Sequence, residues 1–238
     1  MSHLTSPHPR RRLAALLAAA VSVAALGAGA TAPAATLPTT IGPGKFHDCF
    51  WSIGAINGGA MNIAYPDAGA NYWAAGYAVP AGATLELVGK FPHARFASVQ
   101  AYDPLSAPVD ALVDAQLNPD KGSVNPFRPG ASRTAARRSF TIRLAEDGLG
   151  APPDPDQRAG APARNVLHTI PAGATSTTRV LLWRVYVPDR GRDLRGGVAL
   201  PQPRLTTASG AVLTGRAACD ALTPPGGGLT SIDPSALL

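Results

Sequence analysis

The sequence predicts an all-β fold, a two-sheet β-sandwich or jelly-roll-like body with long Pro- and Gly-rich loops. Three observations predict it. Gly 25 and Pro 24 together make up about a fifth of the 238 residues, a density of turn formers that suits many short strands and opposes a helical bundle. Several short runs alternate apolar and polar residues with period two, the spacing of a half-buried strand. No run keeps helical spacing beyond two turns. Hydrophobic residues at 45% against charged residues at 15% exclude disorder as the overall state, and the length suits one domain with a sizeable core.

Along the chain, residues 36–70 are irregular, because Gly42, Gly44, Gly54, Gly58 and Gly59 break any period. Runs at 72–78 and 84–90 are separated by Val79-Pro80-Ala81-Gly82-Ala83, which predicts a β-hairpin with proline and glycine setting the turn. A third run, 96–102, ends at Asp103-Pro104, and a fourth, 112–117, ends at Asn118-Pro119-Asp120. Residues 122–138 form a long loop. At 139–144, Phe140, Ile142 and Leu144 alternate with Thr141 and Arg143, a half-buried strand. Residues 146–164 form a Pro-rich surface loop. Strands are predicted at 165–169 and 177–187; in the second, Leu181, Trp183, Val185 and Val187 form an apolar face, with Arg184 and Tyr186 on the mixed one. Val79-Pro80-Ala81-Gly82-Ala83-Thr84 recurs as Ile170-Pro171-Ala172-Gly173-Ala174-Thr175. The echo reads either as a pseudo-repeat of a hairpin or as turn chemistry selected twice.

Residues 1–35 read as a signal peptide. Arg10-Arg11-Arg12 precede an uncharged stretch and the small residues Ala28-Gly29-Ala30, placing cleavage near Ala30 to Ala35. The apolar stretch is shorter than the ~20 residues of a spanning helix, so no stable membrane anchor is expected. General secretory and twin-arginine routes both fit. A single β-sandwich domain is expected over 36–220 and a flexible tail over 221–238. The expected location is secreted, periplasmic or cell envelope. Of the 21 Lys and Arg, three leave with the leader, so 18 face 15 acids, a balance of +3. With arginines scattered and no basic run interleaved with aromatics, nucleic acid is not an expected partner, and a monomer is expected. Cys49 and Cys219, near the two ends of the mature chain, predict a disulfide in an oxidising compartment; a reactive thiol beside His47 is the competing reading.

No nucleophile elbow, zinc-protease, C-x-x-C or phosphate-loop motif is present, and no metal or cofactor is expected. Asp110, Asp114, Asn118, Asp120 and Asn125 offer oxygen ligands for calcium, but turn formation explains them equally. Polar groups concentrate at 91–103 and 184–193. The expected ligand-binding residues are His93, Arg95, Tyr102, Asp103, Arg184 and Tyr186, with small Ala97, Val99 and Ala101 leaving room against the sheet. An arginine fork suits carboxylates or sugar hydroxyls, and a tyrosine can stack and donate. The alternative for these charges is simple pairing, Arg95 with Asp103 or Arg192 with Asp189.

These stretches carry a likeness. Asn62-Ile63-Ala64-Tyr65-Pro66-Asp67, Tyr72-Trp73, Pro92-His93-Ala94-Arg95-Phe96, Tyr102-Asp103, Asn125-Pro126-Phe127, the segment from Tyr186 to Asp193 and Gly196-Gly197-Val198-Ala199-Leu200-Pro201 resemble a family of uncharacterised secreted bacterial β-sandwich proteins, over most of residues 60–205. Leu182-Trp183-Arg184-Val185-Tyr186-Val187-Pro188 is similar to the closing strand of a pair of domains of unknown function. The resemblance implies export and a β-fold and no particular reaction. Three functions are therefore expected alternatives. One is a module binding a small polar ligand, a carbohydrate or an envelope component. Another is a hydrolase, lyase or isomerase using His93 or Asp103 as general base and Arg95 to stabilise an anion. The last is a structural envelope protein without a site.

Overall fold

Period-two alternation is realised as two five-stranded sheets packed face to face. The computed structural model describes residues 48–58, 67–146, 163–170, 173 and 177–224. They lie in one unit, Leu37–Leu238; the expected leader, His47 and most of the expected tail fall outside the described residues. In chain order the strands are β1 (Ile53–Ile56), β2 (Ala70–Tyr77), β3 (Thr84–Lys90), β4 (Ala94–Tyr102), β5 (Pro108–Val113), β6 (Ser139–Ala145), β7 (Val166–His168), β8 (Arg179–Pro188), β9 (Gln202–Thr206) and β10 (Val212–Thr214), followed by helix α1 (Gly215–Leu222). The first sheet runs β1-β2-β8-β4-β5 and the second β10-β9-β3-β6-β7. Neighbours are antiparallel except β6 and β7, which are parallel.

The predicted β-sandwich is the observed architecture, with several local corrections. The run Val79-Pro80-Ala81-Gly82-Ala83 does not close a hairpin: β2 belongs to the first sheet and β3 to the second, so the segment is an arch between sheets. Ala83 N donates to Pro80 O at 3.0 Å, with Gly82 at φ +72°; the turn chemistry was legible, its destination was not. The echoed segment likewise joins β7 in the second sheet to β8 in the first, with Gly173 at φ +76°. Pro171, Ala172 and Ala174 fall outside the described residues. What repeats is therefore an inter-sheet crossing. The Gly-rich stretch contains β1, because the absence of a Cβ at Gly54 lets the Trp73 indole lie against its backbone. The helix α1 was not anticipated; Ala218, Cys219 and Leu222 form its buried stripe. It runs to Leu222, and Ala78 N donates to Leu222 O at 2.8 Å.

Alternation decides what the core contains. On β8, Leu181, Trp183 and Val185 point inward, whereas Val187 leaves the apolar face, 41% exposed and at φ +47°. On β4, Ala97, Val99 and Ala101 also point inward. They are small because Val99 lies opposite Trp183 and Ala101 opposite Leu181, whose volume fills the layer; they make no room for a ligand. Phe140 of the second sheet stacks on Trp183 of the first at 5.9 Å and meets Phe91 at 4.9 Å, joining the sheets through aromatic contact.

Both lateral edges are clasped. At one, Cys49 precedes β1 and Cys219 lies in α1, which packs on β9 and β10; the two sulfurs form a disulfide across 170 residues. At the other, Asp110 of β5 receives both Nη1 and Nη2 of Arg164, at 2.8 and 2.7 Å, and the backbone N–H of His168 in β7 at 3.0 Å.

The fourth run ends earlier than the sequence suggested: β5 stops at Val113 and Asp114–Gln116 forms a 3-10 turn. Asp114 accepts the N–H groups of Ala97 and Ala115, each at 2.6 Å, and Asn125 donates to the carbonyls of Asp114 and Leu117. Within the oxygen-rich cluster, Asp110 takes Arg164, Asn118 Oδ1 accepts from Arg128 at 2.9 Å, and Asp114 and Asn125 bond backbone. Burial raises the Asp114 pKa from 3.8 to about 6, against the two N–H bonds and Arg133, which lower it. Because the folded value lies above the unfolded one, this group favours folding most when protonated. That contribution is complete below about pH 4 and is lost as pH rises through about 6, a change of about 3 kcal/mol. We expect the Asp114 carboxyl carbon to titrate near pH 6 by NMR; a midpoint near 4 would contradict the burial argument.

Candidate functional site

The outward face of the first sheet brings together side chains from β2, β8 and β4. Register places Tyr72, Arg184 and Ser98 in one row and Ala70, Tyr186 and Phe96 in the next. The Arg184 guanidinium therefore sits among three rings, 5.4 Å from Tyr72, 5.6 Å from Phe96 and 5.2 Å from Tyr186, all within cation–π range. Arg184 Nε and Ser98 Oγ are buried there without a hydrogen-bond partner. A third row adds Gln100, whose Oε1 accepts from the Tyr102 hydroxyl at 2.9 Å. Burial, with Tyr72 nearby, raises the Tyr102 pKa, and Arg184 pulls it back in part. All four aromatics and Arg184 are half-buried.

A second feature lies where β4 begins and β8 ends. His93 O accepts from Asp189 N and His93 N donates to Gly196 O, both at 2.9 Å, stitching two loops beside the sheet. A cleft of about 550 Å³ opens there, lined by Arg95, Arg133, Val187, Pro188, Asp189 and Arg190. The left-handed backbone at Val187 turns the chain out of the sheet, and a β-branched residue adopts it only when its surroundings enforce it. Burial and the charges of Arg138 and Arg192 lower the His93 pKa, so its ring is neutral at pH 7.

No protein-family model and no curated protein matches the chain. Among solved structures, an uncharacterised protein from Burkholderia cenocepacia is similar over 74% of this chain and 35% of its own length, at 18% identity and a TM-score of 0.35. The chain thus spans about a third of that protein.

The six residues expected to form one surface divide among three places. Tyr102, Arg184 and Tyr186 share the outward face; His93 and Arg95 lie at the β4 start; Asp103 lies at the other end of the same strand. Ten residues of extended chain separate His93 from Asp103, about 33 Å at ~3.3 Å per residue. Neither a shared acid–base site, which needs hydrogen-bond reach, nor an Arg95–Asp103 ion pair is geometrically available. Asp103 Oδ1 instead accepts from Leu105 N and Ala107 N at 2.9 and 2.8 Å, closing the β4–β5 turn. Arg192 meets Asp189 through backbone, N to O at 3.0 Å, while the carboxylate of Asp189 lies 3.5 Å from Arg133. Sequence reasoning missed Tyr72 and Arg133. Tyr72 was legible as strand, but its neighbour Arg184 is brought beside it only by sheet pairing; Arg133 sits in a loop with no local mark.

Proposed function

We propose that the protein is an exported binding module that takes a carbohydrate or similar small polar ligand on the outward face of the first sheet. The observation that carries this reading is Arg184 held among Tyr72, Phe96 and Tyr186. Half-open aromatic rings offer flat apolar platforms suited to the C–H face of a sugar ring. A guanidinium fixed beside them donates to hydroxyls or a carboxylate with little ordering cost, because the rings already restrict it. Export is supported by the leader-like residues 1–35 and by a disulfide, which suits an oxidising compartment.

The test is calorimetric titration with a panel of neutral, N-acetylated and uronic-acid oligosaccharides, followed by tyrosine fluorescence. A member of the panel is expected to bind, and Arg184→Ala to weaken it at least about tenfold, the value of a lost charge-assisted hydrogen bond. Tyr186→Ala should weaken the same ligand. Equal affinity in wild type and both variants, or no binding across the panel, would remove the proposal.

A further inference from the structure

The cleft at the start of β4 gathers more positive charge than its acids neutralise, and a buried arginine braces one of its lining residues. Arg138, immediately before β6, is only 3% exposed. Its Nη2 donates to the backbone carbonyl of Arg133 at 2.6 Å, while Nε and Nη1 are buried without any hydrogen-bond partner. An arginine carries five donors and stays charged, so leaving donors of a buried guanidinium unmet is costly. Arg133, which Arg138 braces, lines the cleft with Arg95 and Arg190. Among the lining residues Asp189 is the one acid, and it is half-exposed and 3.5 Å from Arg133. Nearby Asp193 is occupied by Arg195 at 2.8 Å and by the N–H of Gly197 at 2.8 Å. Arg192 crosses Gly197 so closely that a Cβ there would lie 2.8 Å from Arg192 Cδ. Arg138, Arg192 and Arg133 add to burial in lowering the His93 pKa beside the cleft, against Asp189, which raises it.

We propose that this cleft is a binding site for a phosphate-class dianion, free or as a monoester, held by Arg95, Arg133 and Arg190, with Arg138 bracing the Arg133 backbone. Three lining arginines against one aspartate leave the cleft two charges short, which a dianion meets and a monocarboxylate does not. Tetrahedral oxygens also accept from guanidinium forks approaching from several directions, giving short, charge-assisted bonds. The site is separate from the Arg184 face and stands whether or not that face binds sugar.

The full chain is titrated by calorimetry at about 150 mM salt, where loose surface attraction is screened. The probes are inorganic phosphate, glucose 6-phosphate, acetate, and vesicles of phosphatidylcholine with or without phosphatidic acid. Phosphate or glucose 6-phosphate is expected to bind more tightly than acetate, and the exposed pair Arg95→Ala/Arg190→Ala to weaken it at least about tenfold. Binding of phosphatidic acid vesicles alone, lost in the same double variant, would support the site with a lipid as the phosphate source. Arg138→Met should also weaken the phosphate probe; the exposed pair keeps the test independent of whether that buried variant folds. Acetate matching phosphate, binding insensitive to Arg95 and Arg190, or no binding of any phosphate probe to about 10 mM would overturn the proposal.

Discussion

Replacing Cys49 and Cys219 together by serine is expected to lower the free energy of unfolding by about 5 kcal/mol, the chain-entropy value for a loop of this length. The bridge joins positions 170 residues apart, so without it the unfolded chain regains nearly all the freedom of the domain. It also acts at a mechanically relevant place. Cys49 leads into β1, the edge of one sheet, and Cys219 belongs to the helix packed beside β10, the edge of the other. Trp51 reinforces the junction through Nε1 to Pro201 O at 2.6 Å. Urea unfolding of the double variant should show a lower midpoint. A loss below about 1 kcal/mol would mean that the unfolded state is already compact and the loop argument fails.

Arg164→Ala is expected to cost about 3–5 kcal/mol, the penalty for leaving a buried charge without its partner. The Asp110 side chain is fully buried, with Arg164 27% exposed beside it. Besides the two guanidinium bonds, among the described residues Asp110 accepts from the N–H groups of Ala111 and His168. Arg164 additionally donates to the carbonyls of Ala111 and Val166, so its loss leaves the His168 N–H as the hydrogen bond from β7 to Asp110. Asp110→Ala/Arg164→Ala should be less destabilised than the sum of the two single variants, because no charge is then stranded. A strictly additive result in denaturant unfolding would show that the pair does not act as a unit. The two clasps lie on opposite edges of the sandwich, so removing both approaches the whole stability of an ordinary domain.

Legibility followed how local each property is. The strand at Thr84–Lys90 and the one beginning at Ser139 were read to within a residue, because alternation of Leu85 and Leu87, or of Phe140, Ile142 and Leu144, is written in consecutive positions. The strands β1, β9 and β10 were missed, being short or interrupted by glycine and proline. Tyr102, Arg184 and Tyr186 were recognisable as a polar and aromatic excess on outward positions. Arg138 was visible only as one of two adjacent arginines, since nothing in its neighbours signals that it is buried.

The sequence by itself determined the β class, the inward parity of Leu181, Trp183 and Val185, the turn geometry at Gly82, and the cysteine pair. Those follow from backbone sterics, side-chain alternation and chemistry within a few residues. Only the tertiary structure decided that the first Pro-Ala-Gly turn crosses between sheets, that Arg184 lies among three rings, and that His93 and Asp103 stand at opposite strand ends. Partners across a sheet are chosen by packing of distant segments, and an extended strand carries residues that look adjacent on paper about 3.3 Å further apart at every step.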